Sequence, residues 1–466
     1  MSEKTRGEIL QEKLFNNKKN GFDYLPESEI EAAYNYCEGY KNYLDNSKTE
    51  RVCVKTSIAL GERYGFKPFE KGMKLKAGDK IYFNNRGKTV AFVTIGELPV
   101  TEGIHIAAAH IDSPRLDLKQ NPVFEADEIG YLKTHYYGGI KKYHWLSLPL
   151  SLYGTVILKD GSSVDVSIGD NENDPVFCIP DLLPHLAKDQ MSKTMSEAVN
   201  AEAMNVIVGS KTFKDDKVSQ RVKLNVLNIL FEKYGILEED FVSAEFELVP
   251  SHKARDIGLD RSLIGSYGHD DRVCAYPSIT ACFDVERPKH TIMAVIVDKE
   301  EIGSNGATGM KSEFLKYVIE DIAEAFGEKL KDVIRNCKCL SADVNVAHDP
   351  NYPEVTEIRN SSRINYGVVA TKYTGSRGKS STSDASAEFV GYVRKVFDDA
   401  GVMWQTGELG KVDQGGGGTV AMYVAELCMD VIDLGVPVLG MHAAFEVVSK
   451  LDVYMAYKAV KAFFEN

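Results

Sequence analysis

Five short segments of this sequence place an acid or a histidine directly after an apolar run or a glycine-marked turn. They are Ala107-Ala-Ala-His110-Ile-Asp112, Gly268-His-Asp270-Asp271-Arg272, Val295-Ile-Val-Asp-Lys-Glu300-Glu301-Ile-Gly303, Leu340-Ser-Ala-Asp343 and Val438-Leu-Gly-Met-His442. Histidine and carboxylate oxygen are the ligands that borderline divalent ions such as zinc, manganese or cobalt accept. A shared carboxylate can hold two such ions roughly 3.5–4 Å apart, a pair that polarises a carbonyl and acidifies water. A further carboxylate must then carry protons between that water and the leaving group, and adjacent Glu300 and Glu301 could divide the work, one as base and one as ligand. Taken singly, each segment has a plainer reading: an acid at a strand end usually caps a helix or faces solvent, and a lone histidine is usually hydrogen-bonded structure. What sets this chain apart is five such events on strands that feed one sheet.

The elements needed to position them are visible as hydrophobic periodicity. Ser28 to Lys48 reads as a helix, with Ser28 and Glu31 at capping-box spacing. Gly103 to Ala109, His290 to Asp298, Cys339 to Val344, Val402 to Gln405 and Val436 to Gly440 read as strands. Ser312 to Phe326, Ser383 to Asp398, Thr419 to Leu434 and Ser449 to Glu465 read as helices. Alternation of continuous apolar strands with helices predicts an α/β fold with a mainly parallel sheet covered on both faces, and ligands in such sheets bind outside the carboxyl ends of the strands. Residues 116–251 differ, with alternating, tyrosine-rich stretches at Tyr131 to Tyr137, Leu148 to Leu158 and Ser163 to Ile168. They read as a β-rich unit inserted between 1–115 and 252–466. With 466 residues the chain exceeds one ordinary core, which agrees with two units.

Composition narrows the function classes. A formal net charge of −13 argues against a nucleic-acid partner, whose phosphates require a positive face. No apolar run is long enough to span a bilayer, so no membrane partner is expected. Met1 to Asn20 is polar and lysine-rich, without the apolar stretch of a secretory signal, and the eight cysteines read as free, buried thiols; the expected location is the cytoplasm. Cys337-Lys-Cys339 is too closely spaced for a zinc ribbon. Gly375-Ser-Arg-Gly378-Lys379-Ser380 looks like the end of a phosphate-binding loop, but Tyr373 stands where the first glycine is required. Gly415 to Gly418 reads either as a tight helix-entry turn or as a cradle of backbone amides.

The same five segments, in this order, carry a resemblance to the aspartyl aminopeptidase family of dinuclear zinc exopeptidases, extending over nearly the whole chain. The resemblance implies a zinc-exopeptidase-like fold and removal of N-terminal residues, Asp or Glu preferred, from peptides with a free amino terminus. It implies two divalent ions, zinc first among them. Asp270 would bridge, His110 and Asp343 would complete one ion's ligands, Glu301 and His442 the other's. Glu300 would be the general base and Asp112 the acid that orients a ligand histidine. It also implies a cis peptide between Asp270 and Asp271, a substrate-binding Lys372, and His185 supplied from the inserted, dimerising or regulatory unit to a neighbouring subunit of a homo-oligomer, commonly a dodecamer. Two other readings remain at this point: a related amidohydrolase or carboxypeptidase-type enzyme using the same two-metal site, and a self-assembling scaffold without catalysis.

Overall fold

Four strands of nearly unbroken apolar character line up in parallel: Thr291–Val297, Ile104–His110, Lys338–Ala342 and Asp430–Gly435. They form the centre of a nine-stranded sheet in this computed structural model, which describes residues 4–466; Met1 to Glu3, the start of the polar amino-terminal stretch, lie outside the described residues. Every residue of Thr291–Val297 and Ile104–His110 is buried. Strands with apolar residues in both alternating sets need cover on both faces, and they have it. Ala107, Ala109 and Ile111 face the helices Glu27–Asp45, His269–Asp284, Ala387–Asp399 and Lys450–Glu465, whereas Ile104, Ile106 and Ala108 face Phe314–Ala325 and Ala421–Ala425. The alanines let the His269–Asp284 helix, buried along almost all its length, lie close over Ile104–His110. The edges are mixed. Thr89–Thr94 runs antiparallel to Thr291–Val297, and Val368–Thr371 antiparallel to Asp430–Gly435.

Several expectations need correction. Thr419 to Leu434 is not one helix: only Ala421–Ala425 is helical, Cys428 takes a left-handed φ of 61°, and Asp430–Gly435 becomes a central strand. Val420, Ala421 and Val424 fall at helical spacing, but Val431, Ile432 and Leu434 are β-branched or apolar residues packed between helices, and tertiary cover decides for the strand. The following strand, Pro437–Leu439, leaves the main sheet for a five-stranded one, where it pairs with Asn345–Val346 and Glu446–Ser449. The first long helix also starts differently. Its N-cap is Pro26, with no side-chain cap, so Ser28 and Glu31 lie inside Glu27–Asp45 and no capping box forms. All eight cysteines are free, with Cys428 exposed and Cys178 half-buried rather than enclosed.

Between Arg115 and Pro250 a separate six-stranded antiparallel sheet forms, in the order Ser163–Ile168, Leu150–Ile157, Ala244–Pro250, Arg115–Ala126, Ile129–Tyr137 and Val206–Gly209. It has its own core around Leu116, Trp145, Leu150 and Leu248. Charges are buried at its seam with the main sheet: Arg115 reaches Glu247 at 3.0 Å and Glu50 at 3.4 Å, and Lys88 reaches Glu50 at 3.3 Å. Among the described residues no helix is long and apolar enough to cross a membrane.

The main sheet also holds a pH-sensitive buried residue away from the acid cluster. His105 stacks between His290 and Phe463, with ring centroids 4.4 and 4.7 Å away. Its Nδ1–H donates to the Phe463 carbonyl at 3.0 Å, and Nε2 is buried without a partner. Burial first, then repulsion from His290, pushes its pKa down to about 3. The folded state therefore holds His105 neutral while the unfolded chain takes up a proton near pH 6.5. A depressed folded pKa gives stability that is complete above about 6.5 and lost as pH falls, amounting to about 2 kcal/mol by pH 5. Urea unfolding of wild type and His105→Phe at pH 7.5 and 5.0 tests this: the difference in stability between the two proteins should move toward the variant by that amount at the lower pH. A difference independent of pH would remove His105 from the account.

Candidate metal centre

His110 is the last residue of Ile104–His110, and Asp343 follows Ala342 at the carboxyl end of the next strand. Glu300 and Glu301 open a short 3-10 turn after Thr291–Val297, entered through Lys299 at φ 70°. Asp270 sits at the start of the His269–Asp284 helix, where Gly268 turns the chain at φ 76°; a Cβ there would lie 1.6 Å from an Arg272 nitrogen, so only glycine fits. The Asp270–Asp271 peptide is cis. His442, at φ 64°, occupies the loop after Pro437–Leu439, so it is presented by the small five-stranded sheet rather than by a strand of the main one.

These residues converge. His110 Nε2 lies 3.1 Å from Asp270 Oδ1 and 3.8 Å from Asp343 Oδ1; His442 Nε2 lies 3.1 Å from Asp270 Oδ2 and 3.5 Å from Glu301 Oε1. Two donor groups result, His110–Asp270–Asp343 and Asp270–Glu301–His442, with Asp270 common to both. The Glu300 carboxylate stands 3.9 Å from His110 Nε2 without belonging to either group.

Both histidines are oriented by backbone carbonyls. His110 Nδ1 is 3.0 Å from the Asp112 carbonyl and His442 Nδ1 is 2.8 Å from that of Gly139. A carbonyl only accepts, so each Nδ1 carries the hydrogen and each Nε2 points its lone pair inward, as a metal ligand requires. The Asp112 carboxylate accepts from the backbone N–H of Glu300 and of Glu301, both at 3.1 Å, and from the Tyr137 hydroxyl at 2.8 Å. It thereby fixes the turn that carries the two glutamates.

The charges fit cations. Asp270 Oδ1 and Glu301 Oε1 are buried without a hydrogen-bond partner. Burial, then the negative charge of Asp270, pushes Glu301 well up; burial, then Asp271, does the same to Asp343. Burial raises Glu300 to about 7. His442 is also raised, to about 10, but toward its charged form, because its bond to Asp270 and the charge of Glu301 outweigh burial. So many buried carboxylates around two inward-facing imidazoles need compensating positive charge, which bound divalent ions would supply in place of protons.

The other two expected residues do not join this group within the chain. Lys372 follows the antiparallel strand Val368–Thr371, whose register steps from Val369 opposite Gly435 to Thr371 opposite Asp433. The neighbouring Thr371 hydroxyl accepts from Asn345 Nδ2 at 3.0 Å, two residues beyond Asp343. Lys372 lines a separate cavity of about 230 Å³ with Val390, Phe397 and Trp404. His185 is exposed on the 3-10 turn Pro184–Leu186 of the inserted unit. The Gly415–Gly418 run adjoins another backbone: Gly416 pairs with Ser376, and a Cβ on it would lie 2.2 Å from the Gly375 carbonyl oxygen.

Several supporting residues escaped sequence reasoning. Glu446 accepts the backbone N–H of His442 at 2.7 Å and of Asp270 at 3.1 Å, so one buried carboxylate ties two elements of the cluster together. The Ser113 hydroxyl donates to the Asp270 carbonyl at 2.5 Å. Tyr137, Gly138 and Gly139 reach in from the six-stranded sheet. The adjacent glycines after an alternating strand were the one signal available in the sequence, since paired glycines mark a close approach.

Comparison with known proteins shows the family. Residues 43–464 match the family model described as aminopeptidase I zinc metalloprotease (M18). A probable M18 family aminopeptidase 1 of Clostridium acetobutylicum is 48% identical over 461 residues, 97% of this chain and 99% of that one. The crystal structure of an M18 aminopeptidase from Thermotoga maritima superposes with a TM-score of 0.92 at 44% identity, covering 97% of this chain and all of that one. The S. cerevisiae mApe1 dodecamer shares the fold, with a TM-score of 0.75 at 21% identity over 92% of this chain and 96% of that one. The chain therefore belongs to the M18 family of aminopeptidases, which are zinc metalloproteases.

Proposed function

We propose that this aminopeptidase binds two divalent cations, zinc first among them, and cleaves the first peptide bond with Glu300 as general base. The observation that carries the proposal is the pair of donor groups sharing Asp270, with Glu300 beside them and outside both. His110 and Asp343 would complete one cation's ligands, Glu301 and His442 the other's. Bound there, the cations supply Lewis acidity to the scissile carbonyl and lower the pKa of the attacking water. The substrate's free ammonium finds its counter-charge among the carboxylates of the cluster. Glu300, held in a largely buried position, takes a proton from the attacking water as its oxygen bonds to the carbonyl carbon. It returns that proton to the amine as the C–N bond breaks.

Lys372, lining a cavity of about 230 Å³ with Val390, Phe397 and Trp404, would be the cation that meets an acidic N-terminal side chain. Association of copies is the second part of the proposal. His185 sits among the exposed Leu182, Leu183 and Leu186 on the inserted unit, an apolar face suited to contact with another subunit. A dodecameric relative of the same fold supports that reading. Eight free cysteines fit the reducing cytoplasm.

Turnover of aminoacyl chromogenic substrates bearing Asp, Glu, Leu or Lys, with and without chelator, tests the reaction. Hydrolysis should cease on chelation, return with added zinc, and be abolished by N-acetylation. Equal rates on acetylated substrates would replace the aminopeptidase mechanism with an amidohydrolase one.

A further inference from the structure

The two donor groups are braced from different parts of the chain. His110 is buried, its side chain 2% exposed, and is held by the Asp112 carbonyl and by Asp271, whose carboxylate accepts the His110 backbone N–H at 3.3 Å. Asp271 belongs to the His269–Asp284 helix over the main sheet, and Asp112, whose carboxylate also lies 3.4 Å from His110 Nδ1, follows its strand. His442 is 34% exposed and sits in the left-handed region, which a residue with a Cβ leaves readily unless tethered. The tether on its ring comes from the other sheet. Gly139 O accepts its Nδ1–H, and a Cβ on Gly139 would lie 3.3 Å from that nitrogen. The preceding Gly138, at φ 75°, lies so near that a Cβ would be 3.3 Å from both the Cβ and Oε2 of Glu301. The residue before that, Tyr137, holds Asp112, which in turn accepts the Glu301 N–H. Tyr137 is fixed by Arg115, whose guanidinium packs 3.8 Å above its ring and pairs with Glu50 and Glu247 at the seam between the sheets.

We infer that Gly138-Gly139 of the inserted sheet sets the cation affinity of the Asp270–Glu301–His442 position alone. This makes it the weaker, exchangeable position and ties its occupancy to how the inserted unit seats on the main sheet. The inference rests on the two-cation reading above.

Stepwise zinc removal from the full-length protein by a competing chelator tests it. Wild type should release zinc in two steps, the weaker of which disappears in His442→Ala. Gly139→Ala, which crowds the imidazole, should raise the dissociation constant of that step about 10- to 100-fold and leave the tighter step unchanged, with activity restored by saturating zinc. Gly138→Ala presses on Glu301 instead and should give the same selective loss, an independent reading should the first variant fold poorly. Two wild-type steps that both variants shift equally, or leave alone, would overturn this inference and spare the two-cation reading. A single zinc per wild-type chain would overturn both.

Discussion

Glu300→Gln leaves the zinc content of the protein at its wild-type value and lowers kcat by at least about 1,000-fold. The two halves of that result follow from one geometric fact. Glu300 belongs to neither donor group, although its carboxylate stands only 3.9 Å from His110 Nε2. The turn that carries it is fixed through its backbone N–H on Asp112, a bond that the amide substitution leaves untouched. Gln has nearly the same shape and hydrogen-bonding reach but cannot accept and return a proton. Kinetics with metal analysis on the same preparation make the check. Retained turnover with intact zinc would transfer the proton-moving role to another group, whereas lost zinc would place Glu300 among the ligands.

Asp270→Ala should remove both cations and lower kcat/KM by more than about 10,000-fold, the scale of a Lewis-acid contribution of several kcal/mol. Asp270 is the only residue common to the two donor groups, one oxygen toward each histidine. Without it each position keeps two protein ligands, fewer than a catalytic zinc site ordinarily has. The fold should survive, because the anchors of this turn, the Asp270 N–H on Glu446 and the Asp270 carbonyl under Ser113, are backbone groups. Asp343→Ala offers the contrast: it strips one position and leaves the other with Asp270, Glu301 and His442. Zinc stoichiometry of both variants, with circular dichroism to confirm folding, separates them. An Asp270→Ala protein that still bound one zinc tightly would show that the positions do not share this carboxylate.

Such a site imposes demands that the local sequence meets in some places and not in others. The run from Thr291 to Val297 could only be a strand covered on both faces, and the acids following it had to fall at its carboxyl end, where His110 and Asp343 also stand. The stretch from Thr419 to Leu434 reads as one helix because its apolar residues satisfy helical spacing, and packing between two helix layers makes the second half a central strand instead.

The sequence by itself determined which side chains could carry the chemistry and that the strands leading to His110, Glu300 and Asp343 would be parallel and buried, because residue type and hydrophobic period are local properties. Only the tertiary structure decided that His442 arrives from a different sheet, that the strand before Lys372 runs antiparallel to its neighbour, and that Glu446 and Gly139 complete the cluster. Strand order and direction depend on pairing between distant segments. The donors and acceptors that hold the cluster are largely backbone groups, which every residue has and which no pattern of side chains announces.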